Sequence, residues 1–311
     1  MNLSQRHLQM FVTTAAYCNV SRASEILHIS QPALTRALKE LESQLGVTLF
    51  QRTTRRINLT MEGERFLPVA QRLLNDMTAA IDMVRGEATG QQGSVSLAVG
   101  EAFGCTVLPA VLKVFAQSFP RVRVRIINDN SQGITRRVDN SEVDFGIGTP
   151  VGNTGALLCT PLLSAPLGLL ADPSEYKLGA DVDACDLASL PLLKESNDTS
   201  IHHLLSVNGS DVVAWMSIGI EVSSLAQQLA LARSGVGVAV LSALGASHYD
   251  AVSMKFSQLK PEINRKVFLM QRRDKVLSPS SRALLATIFE HMHSVPLHSM
   301  VRLAKGETSS S

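Results

Sequence analysis

At 311 residues and 45% hydrophobic content the chain is long enough for two or three domains with filled cores. It has no run of about 18 apolar residues, which excludes a membrane-spanning helix. The formal net charge is only +2, but residues 1–60 carry a surplus of +4, residues 61–92 a deficit of −2, and the remainder is balanced. A small basic head on a neutral body suits a polyanion-binding module joined to something else.

The first predicted element follows Arg6. Leu3, Leu8, Phe11, Ala15 and Cys18 recur near helical spacing with Gln9 and Thr13 between them, which favours an amphipathic helix over a signal peptide. Asn19 or Ser21 then caps a short helix over Arg22–Leu27, and His28–Ile29 make a turn. Ser30 is a good N-cap, and Pro32 falls in the next helix's first turn, where its missing N–H costs nothing. Leu34, Leu38, Leu41 and Leu45 mark the apolar face of this helix, and Gly46 stops it. Gln31, Thr35, Arg36 and Lys39 point the other way. Two short helices with a tight turn, the second bearing a cationic and amide-rich face, fit the major groove of B-DNA.

Val47–Thr60 alternates as a hairpin wing, with Phe50, Ile57 and Leu59 inward and Arg52, Arg55 and Arg56 at the tip. Thr60 caps a helix from Met61 to near Ala88, with Glu62 and Glu64 in its first turn to suit the helix dipole. Phe66, Ala70, Leu73, Met77, Ala80 and Val84 alternate spacings of four and three, the seam of a two-stranded coiled coil roughly 40 Å long. Pro68 should kink it. Gly90–Gly93 reads as a hinge.

Beyond it strands and helices alternate. Strands are expected over Ser94–Val99, Val122–Asn128, Val143–Gly148, from Leu167–Ala171, Ile218–Val222, Val236–Leu241 and Lys266–Gln271. Helices are expected over Cys105–Ser118, Gly133–Asn140, Ser200–Val207, Ser224–Ser234 and from Ser278–Pro279 to about His293. Repeated βα units imply parallel sheets covered by helices, and two such sets imply two lobes around a cleft. The tail after Pro296 is expected to be disordered. Cys18, Cys105, Cys159 and Cys185 are scattered, and suit reduced, mostly buried thiols in a cytosolic protein better than a disulfide frame or zinc site.

The chain resembles the LysR-type transcriptional regulators along nearly its whole length. The match is densest over residues 3–66: Leu8 and Phe11, Arg22-Ala23-Ser24, Leu27, Ser30-Gln31-Pro32-Ala33-Leu34-Thr35-Arg36, Leu41-Glu42, Leu45-Gly46, Leu49-Phe50-Gln51-Arg52, Leu59-Thr60 and Gly63. Looser matches follow at Leu108-Pro109, Phe119-Pro120, Val143-Asp144-Phe145 and Ser234-Gly235-Val236-Gly237. Ser24 stands where the family usually has Ala, Thr35 where it has Ser, and Ser242 where it has Pro.

The resemblance implies an N-terminal all-α winged helix-turn-helix with a long dimerisation helix, and a C-terminal α/β two-lobed effector domain like a periplasmic binding protein. The expected boundaries are 1–60, 61–89 and 90–311, with one lobe over 93–163 and 268–295 and the other over 164–267. On that basis the recognition helix runs from about Pro32, itself in the DNA-binding set, to Leu45, and Gln31, Thr35 and Arg36 reach the bases, Arg36 being the candidate for bidentate guanine contact. Lys39, Arg52, Thr54 and Arg55 grip phosphates or the minor groove. Ligands of such bodies sit at the carboxyl ends of strands near helix N-termini, which selects loops at Glu101, Ala102, Phe103, Gly104, Asn130, Ser131, Thr149, Glu195, Ser196, Asn197 and Ser223. No Arg or Lys lies in those loops. Expected partners are double-stranded operator DNA, a small organic effector, RNA polymerase, and further copies in a homodimer or homotetramer, in the cytoplasm and away from membrane.

An enzyme finds little support. The sequence has no GxxxxGK(S/T), HExxH, GxSxG or strand-linked GxGxxG motif. His202-His203, and His291 with His293, lack further ligands at metal spacing and read as helix-surface residues. Asp181 and Asp183 read as a solvated loop pair. No cofactor is expected beyond the effector, and no metal. A secreted solute-binding protein would explain the body but not residues 1–60, and a nucleic-acid enzyme would explain the head but supplies no catalytic cluster.

Overall fold

The computed structural model describes residues 3–52, 57–84, 92–195, 200–208, 219–222 and 224–304. Two compact units form. One is Met1–Ala88 with the short segments Asn140–Glu142 and Lys275–Ser278, and the other is Thr89–Asp139, Val143–Asp274 and Pro279–Ser311.

The first unit runs α1 (Gln5–Tyr17), α2 (Val20–Ile26), α3 (Gln31–Leu45), β1 (Phe50–Arg52), β2 (Ile57–Leu59) and α4 (Met61–Val84). Its helix starts are written locally. The side chains of Ser4, Asn19 and Ser30 accept N–H bonds from His7, Arg22 and Ala33, and Gly46 ends α3 in the left-handed region at φ 70°. Leu8, Phe11, Ala23, Leu34, Leu38, Leu41, Leu49, Phe50 and Ile57 form the core. Phe11 is central, with its ring centroid 5.4 Å from Phe50 and 5.2 Å from Phe66.

Helix α4 passes through Pro68 as one element, and its expected seam divides. Ala70 is fully buried and Phe66 half-buried in the unit's own core, together with Leu74, which the spacing argument left out. Leu73 and Met77 remain 37% and 41% exposed, flanked by the equally open Val69 and Ile81. The heptad pattern therefore serves two surfaces: α1 covers one, and the other stays open on this chain.

In the second unit the elements are β3 (Gln92–Val99), α5 (Glu101–Thr106), α6 (Leu108–Ser118), β4 (Arg121–Asn128), α7 (Ser131–Asp139), β5 (Phe145–Gly148), β6 (Leu157–Ala171), β7 (Asp181–Asp183), β8 (Leu192–Glu195), α8 (Ser200–Asn208), β9 (Ile220–Val222), α9 (Leu225–Arg233), β10 (Val238–Ser242), β11 (Lys255–Lys260), β12 (Asn264–Arg272), α10 (Pro279–His291) and β13 (Arg302–Leu303). The strands lie in the order β4-β3-β5-β12-β6-β10-β8-β9, with β11 and β13 also on β6, and β7 on β11. β3 is parallel to β4 and β5 in a first lobe; β8 is parallel to β9 and β10 in a second. The long strand β6 pairs with β12 along the first lobe and with β10 and β11 along the second, so β6 and β12 join the two. Leu97, Ile147, Leu169 and Val238 are fully buried, as strands covered on both faces should be. Gly237 is needed at the start of β10, because a Cβ there would lie 2.3 Å from the Pro191 carbonyl oxygen.

Several expectations are corrected. The helix expected over Cys105–Ser118 is two helices meeting at Val107, because Pro109 suits a helix start. Asp181 and Asp183 lie in strand β7, hydrogen-bonded along β11. Cys18, Cys105 and Cys185 are exposed, since they fall at a helix end, on a helix surface and in a 3-10 turn, whereas Cys159 in β6 is half-buried against a core cluster. The segment after Pro296 is ordered to Ala304. β13 pairs with Leu163 and Ser164, and the Ala304 N–H donates to the Leu162 carbonyl at 2.8 Å. A register shift where β12 passes Leu162 leaves that carbonyl available to it. Of the expected hinge, Gly90 and Gln91 lie outside the described residues, while Gln92 and Gly93 belong to β3.

Candidate nucleic-acid interface and inter-lobe site

On α3 the apolar stripe and the outward face separate cleanly. Leu34, Leu38 and Leu41 are at most 1% exposed, while Gln31, Pro32, Arg36 and Lys39 are exposed and Thr35 half-buried. Pro32, Thr35, Arg36, Lys39, Glu40 and Ser43 line an open groove of about 470 Å³. Glu40 and Ser43 were not picked out from the sequence. Glu40 brings an acidic group into the groove, and its carboxylate lies 3.7 Å from the His7 imidazole.

The wing is tied to this helix by Glu42. Its Oε1 accepts the N–H groups of Leu49 at 2.8 Å and Phe50 at 3.0 Å, fixing where β1 begins relative to α3. Thr60 Oγ1 donates to the Thr48 carbonyl at 2.6 Å and accepts the Gly63 N–H at 3.0 Å, so one hydroxyl joins wing to helix α4. Gly63 permits the approach, since a Cβ would lie 2.2 Å from the Leu49 carbonyl oxygen. Ser24, buried to 4% exposure, satisfies its hydroxyl on the Ser21 carbonyl at 2.8 Å, so its departure from the usual Ala leaves no polar group stranded. Arg52 closes β1 opposite Ile57, and Thr54 and Arg55 lie outside the described residues.

In the second unit, Glu101, Asn130 and Thr149 follow the carboxyl ends of the parallel strands β3, β4 and β5, and so share one edge of the first lobe. Most of their polar groups already have protein partners. Asn130 Oδ1 accepts the Gly133 N–H at 2.8 Å and caps α7, whose first residue Ser131 is buried. Thr149 Oγ1 donates to the Lys266 carbonyl at 2.8 Å. Glu101–Gly104 form not a loop but the first turn of α5, and Phe103 is 2% exposed, which removes its side chain from any solvent-lined surface. Glu195 ends β8; Ser196, Asn197 and Ser223 lie outside the described residues. Ser242 ends β10, and its hydroxyl, 1% exposed, has no hydrogen-bond partner among the described residues.

Arg265 lies outside the strand-end loops and carries no local sequence signal. It lies at the start of β12, opposite Ala165, and its guanidinium comes within 3.8 Å of where a Cβ on Gly100 would stand. The joining strands thus bring a cation beside the start of α5, where the loops alone offered none. Partial desolvation, then the Glu101 carboxylate, push the Cys105 thiol pKa upward; partial burial does the same to Cys159, against the pull of Arg273. Both are thereby held as thiols, away from thiolate chemistry. Among the described residues no three His, Cys, Asp or Glu side chains cluster at metal-binding distance.

A winged helix-turn-helix presenting a cationic groove, on a chain that continues into a two-lobed α/β body, defines a class of DNA-binding regulator with an appended small-molecule domain. The family model of the bacterial regulatory helix-turn-helix protein, lysR family, matches residues 5–64, and that of the LysR substrate binding domain matches residues 88–293. The chain belongs to the LysR family of transcriptional regulators.

Among its relatives is the HTH-type transcriptional regulator YbhD of Escherichia coli strain K12, 28% identical over 285 residues, covering 90% of this chain and 89% of that one. Among solved structures, a full-length single-residue variant of OxyR from Pseudomonas aeruginosa has a TM-score of 0.75 at 20% identity, covering 99% of each chain. Full-length CbnR, in a crystal structure complexed with its target DNA, has a TM-score of 0.53 at 23% identity, covering 93% of this chain and 100% of that one. These likenesses to solved structures bear on the fold.

Proposed function

We propose that this regulator reads operator DNA with α3, pairs its reading heads through α4, and changes transcription when a small organic effector binds between the lobes of its second unit. The observation that carries the DNA reading is the exposed face of Gln31, Pro32, Thr35, Arg36 and Lys39 backed by the buried stripe of Leu34, Leu38 and Leu41. A cationic helix face of this kind enters a major groove, where Arg36 offers two N–H groups to guanine and Lys39 a point charge to phosphate. Arg52, Thr54 and Arg55 complete the grip from the wing.

The open stripe of Val69, Leu73, Met77 and Ile81 supports dimerisation of α4, since each of these apolar residues is 37–41% exposed without a second copy. Two such heads require an operator with inverted half-sites, about one helical turn or a multiple apart. A homotetramer of two such dimers, contacting RNA polymerase in the cytoplasm, completes the assembly. The relatives are transcriptional regulators, and we assign the chain no enzymatic activity and no cofactor besides the effector.

For the effector, the shared edge of Asn130, Ser131 and Thr149, taken together with Glu195, Ser196, Asn197 and Ser223 of the second lobe, gives mostly small neutral donors and acceptors. Arg265 adds a guanidinium beside the start of α5. Ligand binding there shifts the mutual angle of the lobes and so the spacing of the heads.

The test is an operator titration. Arg36→Ala should cost about 1–3 kcal/mol of operator affinity and relax preference at one base pair, with thermal melting unchanged. An Arg36→Ala chain that binds its operator as tightly and as selectively as the parent removes Arg36 from base recognition.

A further inference from the structure

Glu101 begins α5 in the first lobe, yet its carboxylate is engaged by the second. Oε2 accepts the backbone N–H of Leu225 at 2.9 Å, and Ser224 Oγ lies 3.2 Å from Oε1, donating to it. Leu225 is the first residue of α9, and Ser224, in the N-cap position, makes no side-chain capping bond. An amide that α9 cannot satisfy within itself is therefore capped from a residue 124 positions away in the chain, on the opposite lobe.

A second contact is independent of charge. Ala102 packs against the second lobe's cluster of Leu170, Leu193, Leu225, Leu229 and Leu241. The adjoining Phe103 is buried, and the site of a Gly104 Cβ lies 3.3 Å from the Val99 side chain, so the other face of α5 is held by its own lobe. One short helix thus touches both lobes, with a carboxylate and a methyl group directed at the second.

The chemistry favours this contact without making it permanent. A carboxylate at a helix N-terminus is stabilised by the helix dipole and by a charge-assisted hydrogen bond. If the lobes part, the Leu225 amide, the Ser224 hydroxyl and the Glu101 carboxylate all reach water and are satisfied there, so opening strands no polar group. A contact that is favourable when made and harmless when broken is what a two-state element needs.

We propose that Glu101 is an inter-lobe latch: it holds α9 of the second lobe to α5 of the first, and so sets one preferred angle between the lobes. As a device acting on the effector site this rests on the function proposed above, but its test requires neither operator nor effector, so either can fail alone.

The test is amide hydrogen exchange on the full-length, effector-free chain, with fragmentation that resolves the Leu225 amide. In the parent, Leu225 should be protected. Glu101→Ala should speed its exchange about tenfold, with β3 and α6 unchanged, since only the cap is lost. Glu101→Gln keeps a neutral acceptor of the same reach and should fall between the two. An unchanged Leu225 rate in Glu101→Ala overturns the latch. If Glu101→Ala instead loses protection throughout the second unit, Glu101→Gln decides: a rise confined to the start of α9 supports the latch, and no rise there overturns it.

Discussion

The two units handle polar side chains in opposite ways. In the first, the groups that face outward on α3 are held apart from the core by a full layer of leucine, and Gln31, Arg36 and Lys39 stay exposed. In the second, the groups gathered at the strand ends are already engaged: Glu101 with α9, Asn130 with α7, Thr149 with β12. The difference follows from the size and charge of what each meets. A duplex is large, rigid and polyanionic, and a solvated cationic face can wait for it without cost. A cleft for a small molecule excludes water in part, so its polar groups need partners before the ligand arrives. On the function proposed above, binding there would exchange protein–protein hydrogen bonds for protein–ligand ones.

If the outward face depends on the layer beneath it, breaking the layer should cost more than trimming the face. Phe11 is fully buried between Phe50 and Phe66. Phe11→Ala should destabilise the first unit by about 3–5 kcal/mol, the largest effect expected here. Urea denaturation followed by exchange protection in α1 and α3 measures it; protection in β3 and β10 should not change. A parent-like denaturation curve would mean that the aromatic contacts do not organise the head.

Glu42 tests the join between helix and wing. Glu42→Ala leaves the N–H groups of Leu49 and Phe50 without their acceptor. The expected loss is about 2–3 kcal/mol. Because the wing is then unfixed against α3, DNA affinity should fall more than the stability loss alone explains. Equal affinity in the two chains under fully folded conditions would separate the wing from DNA docking.

What could be read in advance divides along the same line. On α3 the caps at Ser30 and Gly46 and the leucine stripe lie within one helix, so local chemistry sufficed. The seam on α4 was legible as a pattern but not as a surface: Ala70 and Leu73 look alike in spacing, and only the tertiary position of α1 decides that one is covered and the other open. The sequence pattern marks β6 from Leu167 only, whereas the strand begins at Leu157 and contains Pro161 and Pro166, residues that disfavour a central strand. The structure accommodates Pro161 at the register shift against Phe268, while the Pro166 carbonyl accepts the Ala243 N–H at 2.8 Å. Arg265 stayed hidden for the same reason, since its place beside Gly100 depends on a pairing across the whole second unit. Glu42 was legible as part of a family pattern, but its two hydrogen bonds were not.

The C-terminal segment sharpens the comparison from the other side, because its described hydrogen bonds hold it to the body of the second unit. The His298 N–H donates to Ser247 Oγ at 2.9 Å, its ring lies edge-on to Phe256 with centroids 5.0 Å apart, and its Nδ1 accepts the Met300 N–H at 3.3 Å. Burial pushes the His298 pKa below the usual histidine value. In the unfolded chain the imidazole takes its proton near pH 6.5, while in the folded chain it resists until lower pH. The contribution is therefore complete above about pH 6.5 and is lost as pH falls from there through the depressed folded pKa. Protonation also removes Nδ1 as an acceptor for Met300. Between about pH 7.5 and about pH 5.5 the melting temperature should fall, and amides from Met300 to Ala304 should lose protection after correction for intrinsic rates. His298→Gln cannot titrate and should flatten that part of the slope. The effect should be the smallest of the three, since one half-buried imidazole is involved. If His298→Gln keeps the parent's full pH dependence, the acid sensitivity belongs to other groups, and the strap is held by β13 and Ser247 alone.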